Sequence, residues 1–162
     1  MAFLQADPSG DLFLNITQSV GRRKSNTPED VLVVQALLAI IYNRSPPFQK
    51  RRPGNRPVVV SSELGSDTTT LIADFQRTIL KRPKPQGFCD RAPVSSSTQL
   101  NFNTLFRLWG TADQIHSVTS SEDLLVVLQR ENPSLRNLRR VGETGNSSPR
   151  EPRAPRVIDS SR

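Results

Sequence analysis

Apolar residues recur at helical spacing in two stretches, and each stretch opens on its own start signal. In the first, Val31, Val34, Leu38 and Ile41 fall on one stripe with Leu37 beside it. Thr27 offers an N-cap, Pro28 suits the first helical position, and Glu29 and Asp30 sit where the helix dipole favours acids. The spacing predicts a helix to about Tyr42 or Asn43. Ser45-Pro46-Pro47 stops it, because proline lacks an amide and clashes with the preceding turn. The second stretch opens at Gly65 with Ser66 or Asp67, runs to about Leu80 and buries Leu71, Ile72, Phe75 and Ile79.

Asp11 to Val20 alternates instead. Leu12, Leu14, Ile16 and Gln18 point one way and Phe13, Asn15, Thr17 and Ser19 the other, which predicts a half-buried strand ended by a turn at Gly21–Ser25. Val58-Val59-Val60 reads as a short strand or extended segment. A third helix is expected from Gln99 or Asn101 to Trp109, with caps from Ser95–Thr98 and Gly110 as its C-cap. A fourth, from Ser121 to Arg130, has Ser120 or Ser121 as cap and an apolar face of Leu124, Leu125, Val127 and Leu128. Asn132-Pro133 breaks it.

Charge changes the picture by where it lies. The chain carries +7 over 162 residues. Arg44, Lys50, Arg51, Arg52 and Arg56 form an acid-free run, and the stretch 136–162 sets seven arginines against three acids. The excess is thus expected in loops and a tail, where solvated cations attract anionic partners without selectivity. Residues 142–162 hold only Ala154, Val157 and Ile158 as apolar residues, too little to fold, and are expected to be disordered.

One cysteine, Cys89, and one histidine, His116, exclude an intramolecular disulfide and a zinc site. No glycine-rich phosphate loop is present. Asp67 and Asp74 lie two turns apart and read as a cap and a solvated residue, not an acid pair. No catalytic residue, metal or cofactor is therefore expected. The N-terminus lacks the basic and apolar regions of a secretory signal, and no apolar run spans a bilayer, so the product is expected in the cytoplasm at synthesis.

Asp30-Val31, Val34-Gln35, Leu38, then Gly65 and Thr68, then Ile72 and Phe75-Gln76, and last Thr104-Leu105 fall in an order that resembles the repeat of the bacterial peptidoglycan-binding domain-like family. Ser19-Val20-Gly21 ahead of Asn26 is similar to a variant found near contractile injection and type VI secretion machinery. The similarity spans about Ser19 to Trp109. It implies a mainly α fold: a small three-helix domain with a short N-terminal strand (11–110), an added C-terminal helical extension (111–140) and a disordered basic tail (141–162). Gly65 is expected to need a backbone conformation that disfavours a side chain, Thr68 to satisfy a first-turn amide, and Gln35 and Gln76 to bond loop backbone.

The chain departs from the family pattern at the binding loops. Ser61-Ser62 stands where the family has Asp-Gly, Phe88-Cys89-Asp90-Arg91 stands where its second Asp-Gly falls, and the loop from Asn43 to Pro57 is longer. The resemblance implies a ligand site on these loops: Ser61, Ser62, Gly65, Asp90 and Arg91, assisted by Arg51 and Arg52, with Tyr42 as a stacking aromatic. Leu124, Leu125 and Leu128 are the expected partner-binding face. Two functions remain open. One is a non-catalytic module that recognises peptidoglycan and leaves the cell through an injection apparatus. The other is a structural adaptor that binds a protein of such an assembly. Nucleic acid is disfavoured, since only Phe48 interleaves with the basic loop.

Overall fold

A computed structural model describes residues 1–93 and 97–141. The expected disordered tail, apart from its first residue Val141, and the capping candidates Ser95 and Ser96 lie outside the described residues. The described chain is about half helical, with six α-helices, four of them of 7 residues or more, and small sheets.

The centre is α1 (Pro28–Arg44). The stripe predicted for it is buried, but so are Val33, Ala36, Ile40 and Tyr42, so the helix is covered on nearly all sides. Thr27 is the N-cap residue without a side-chain cap bond. The first turn is used differently: buried Asp30 accepts from the amides of Thr17 and Gln18 at 3.4 and 3.0 Å and from the Met1 ammonium at 2.9 Å. After the short α2 (Pro46–Gln49), α3 (Ser66–Thr78) packs Leu71, Ile72 and Phe75 on α1, as its spacing predicts.

The N-terminal strand expected over 11–20 is shorter and has company. β1 (Phe3–Ala6) pairs antiparallel with β2 (Leu12–Asn15), with Phe3 opposite Asn15 and Ala6 opposite Leu12. β3 (Val20–Gly21) pairs with β4 (Phe88–Cys89) in a separate two-stranded ladder. β2 is buried on both faces: Leu14 joins the main core, while Phe13 joins a second cluster with Ala92 and Leu100 and meets Phe106 edge-on at 5.1 Å. Gly21 has φ +148, and a Cβ there would stand 2.4 Å from the Phe88 Cβ, so only glycine lets the two strands approach.

The third helix differs from its predicted bounds. α4 (Ser97–Asn101) ends before Asn103, whose side chain caps α5 (Thr104–Thr119) by accepting from the Phe106 amide at 2.8 Å. Gly110 lies inside α5, not at its end. Leu105, Leu108, Ala112 and His116 continue one buried face across it, which outweighs the roughly 1 kcal/mol that glycine costs a helix. Trp109 is half-buried between the two clusters. α6 (Leu124–Glu131) starts at Asp123 and not at Ser120 or Ser121. A short 3₁₀ turn, Pro133–Leu135, buries Leu135 and leads to β5 (Arg140–Val141), which pairs parallel to β1.

Gln76 ties α3 to β4 and to the start of α5. Its Nε2 donates to the Phe88 carbonyl and the Thr104 hydroxyl, both at 2.9 Å, and its Oε1 accepts from the Gly87 amide at 2.9 Å. The expected bond from a helix glutamine to loop backbone is present there.

Candidate groove beside α3

The long basic loop is not loose. Arg51 forks onto Asp74, with Nε and Nη2 at 2.7–3.0 Å from its carboxylate oxygens. Arg52 donates to Asn43 and Asn55, and Arg56 pairs with Asp67 at 2.7 Å. Phe48 packs edge-on against Tyr42 at 5.0 Å. Three of the five cations in the run are thus spent on fixing the loop to α1 and α3. Asp74, expected to be solvated, is buried, with Tyr42 Oη donating to it at 2.7 Å. Asp67 accepts the Arg56 guanidinium, which holds its carboxyl below the usual carboxylate range.

Gln35 fixes the opposite wall. Its Oε1 accepts from the amides of Ser61 and Ser62 at 2.8 and 2.9 Å. Its Nε2 donates to the Glu63 carbonyl at 2.8 Å and the Thr68 hydroxyl at 3.1 Å. Thr68 therefore serves Gln35 and not a free amide. The strained position is Ser62, at φ +69. Gly65 has φ −127 and ψ 172 with nothing within 4 Å of a built Cβ, so the conformation expected to demand glycine is one that any residue adopts.

Between these walls lies a groove of about 380 Å³. Pro53, Pro57, Val58, Val59 and Leu71 give it an apolar lining, and Gln35, Ser61, Glu63, Thr68 and the Arg56–Asp67 pair a polar one, with Gly65 among them. No aromatic ring lines it.

Of the eight ligand-binding residues predicted, the structure brings Ser61 and Gly65 into this groove. Ser62 stands beside it on the Gln35 clamp. Arg51 and Arg52 anchor the loop behind it. Tyr42 is fully buried and presents no face for stacking; burial first, then the Asp74 carboxylate, pushes its hydroxyl far above the usual range. Asp90 and Arg91 lie outside the groove, Asp90 on the Ser19 hydroxyl and Arg91 over the Phe3 ring at 5.0 Å. Leu124 and Leu128 belong to the main core, and Leu125 packs half-buried against it, so the predicted partner face is turned inward. Sequence reasoning missed Pro53, Arg56, Val59 and Asp67. Two prolines shortly ahead of a Val-Val-Val run were the available signal.

Elsewhere, Cys89 is fully buried and its thiol is pushed far up by burial, the opposite of an activated nucleophile. His116 bonds the Glu122 carbonyl through Nε2 at 2.9 Å and faces Arg44 through Nδ1 at 3.2 Å, an arrangement that suits the neutral ring with its proton on Nε2. Among the described residues no group of three His, Cys, Asp or Glu is placed to hold a metal, and no helix is long and apolar enough to cross a membrane. The chain matches no family model, no curated protein and no solved structure.

Proposed function

We propose that this protein is a non-catalytic binding module on a peptidoglycan-binding-like scaffold, with α1, α3 and α5 as its three helices, and that its groove beside α3 holds a segment of another protein within a larger assembly. The observation that carries this reading is the chemistry of the groove: an apolar strip of Pro53, Pro57, Val58, Val59 and Leu71, polar groups including the Arg56–Asp67 ion pair beside it, and no aromatic ring. Apolar clefts with a few placed polar groups suit protein segments, whereas sugar rings are commonly gripped by stacked aromatics. The order of motifs around Ser19–Asn26 points to an injection-type apparatus as the assembly.

A second reading, recognition of bacterial peptidoglycan, draws support from the glutamine clamps, which set the loops where the resemblance places a wall-binding site. One variant separates the two. Gly65→Trp fills the groove where space is open, so the fold survives. With a photo-crosslinker at position 61, which is exposed and lines the groove, the full chain in bacterial cells is expected to capture one protein, and Gly65→Trp to lose it. Isolated sacculi should retain the chain no better than a charge-matched control at physiological salt. Retention on sacculi that Gly65→Trp abolishes overturns the protein-binding reading in favour of the wall.

A further inference from the structure

We infer that Val58–Val60 is an open strand edge that takes an extended, aliphatic and basic segment of the partner by β-strand pairing; this rests on the protein-binding reading of the groove. Residues 56–61 run without turn, bend or helix. The three valines alternate as a strand does: Val58 and Val60 pack on the main core, while Val59 is 69% exposed. Asn43 satisfies both backbone groups of Val58, accepting from its amide at 2.9 Å and donating to its carbonyl at 3.0 Å. The amides and carbonyls of Val59 and Val60 have no hydrogen-bond partner among the described residues.

That combination selects the occupant. Unpaired backbone donors and acceptors on an extended segment are matched in spacing by another extended backbone. The segment lines two depressions, one of about 380 Å³ at Val58 and Val59 and one of about 420 Å³ at Val60 with Ile40 and Leu128, and side chains of an added strand would seat there. Pro57 has no amide, so the edge is short and side-chain burial supplies the rest of the grip. Charge narrows the partner further. Arg56 and Asp67 neutralise each other, leaving exposed Glu63 with no ion-pair partner among the described residues. A lysine or arginine on the incoming strand supplies it.

The test uses the full chain and a phage-displayed library of random linear peptides. Enriched peptides are expected to alternate aliphatic residues and carry a basic one. Val59→Pro removes only an amide that bonds nothing and keeps Val58 extended, so melting temperature should hold. Peptide affinity should nevertheless fall about tenfold or more, while Val59→Ile leaves it unchanged. N-methylation of the peptide's central amides should cause the same loss, and the Val59 amide should exchange rapidly until peptide is added. The inference is overturned if no peptide is enriched, or if enriched peptides bind Val59→Pro as well as the parent. It is equally overturned if the Val59 amide already exchanges slowly in the free chain because residues 142–162 or a second copy cover it. Partner crosslinking that persists in Val59→Pro but fails in Gly65→Trp would overturn strand pairing alone and leave the binding-module reading intact.

Discussion

Gln35 and Gln76 hold two different loops with matching bonds, to which Gln35 adds one more, from the Ser61 amide at 2.8 Å. Each Oε1 accepts one amide at 2.9 Å from a residue at positive φ, Ser62 (+69) for the first and Gly87 (+79) for the second. Each Nε2 donates to the next residue's carbonyl, Glu63 at 2.8 Å and Phe88 at 2.9 Å, and to a threonine early in a helix, Thr68 and Thr104. The helix before a loop therefore fixes that loop and the start of the helix after it. α1 is tied to α3 and α3 to α5 by one repeated device.

Removing a clamp should be costly. Gln35→Leu strands the amides of Ser61 and Ser62 at a partly buried site, and each unsatisfied group costs about 1–3 kcal/mol. A loss of about 3 kcal/mol is expected in urea denaturation, with Gln76→Leu close behind. A loss under about 1 kcal/mol would mean that other contacts hold the loops.

Glycine and its absence are placed against local need at two positions. Ser62 sits in the left-handed region, which costs a non-glycine residue about 1–2 kcal/mol, so Ser62→Gly should raise stability by about 0.5–1 kcal/mol after its entropy cost. Gly110 lies mid-helix with open space around a built Cβ, so Gly110→Ala should add about 0.5–1 kcal/mol. Gly87→Ala, at φ +79, should go the other way. Thermal melts of the three variants check the signs.

Alkali should unfold this protein through two buried acids. Burial raises the Cys89 thiol and the Tyr42 hydroxyl above their ordinary values of 9.0 and 10.0. The unfolded chain releases these protons first and binds fewer than the native state, so stability is whole below about pH 9 and falls as pH rises. Each group contributes a slope of about 1.4 kcal/mol per pH unit once its unfolded form ionises. Tyr42→Phe should remove the part that sets in near pH 10, and Cys89→Ala the part near pH 9, whatever either does to stability at neutral pH. An unchanged slope in both variants would show that neither group remains buried.

Leu128 and Leu125 differ by a helix face and should differ in cost. Leu128 is buried in the main core, so Leu128→Ala should lose about 2–4 kcal/mol. Leu125, half-buried, should lose less than half as much. Equal, small losses by circular dichroism melting would mean that α6 is detached from the core.

The sequence carried α1 and α3 because their signals are local. Pro28 with Glu29 and Asp30 marks a start, and Phe75-Gln76 closes an amphipathic face. Boundaries failed where a residue's local preference was overruled by packing, as at Gly110, which a continuous buried face carries through. β1 was missed because Phe3, Leu4 and Gln5 are all buried and show no alternation; the turn residues Asp7-Pro8-Ser9-Gly10 between two apolar runs were the clue. At the groove, Ser61 and Gly65 were legible from motif order, but Arg51 and Tyr42 were not. Their carboxylate, Asp74, lies 23 and 32 residues away, and no local pattern announces that pairing.

The pairing of β1 with β5 sets a schedule for synthesis. The strands of the β1–β2 hairpin are both made once Asn15 is added, yet the Leu4 amide waits for the Arg139 carbonyl, nearly the whole described chain later. Until then one margin of the nascent hairpin is bare. A ribosome that stops short of Arg139 would release a product with that margin permanently unsealed, prone to stick to its own siblings.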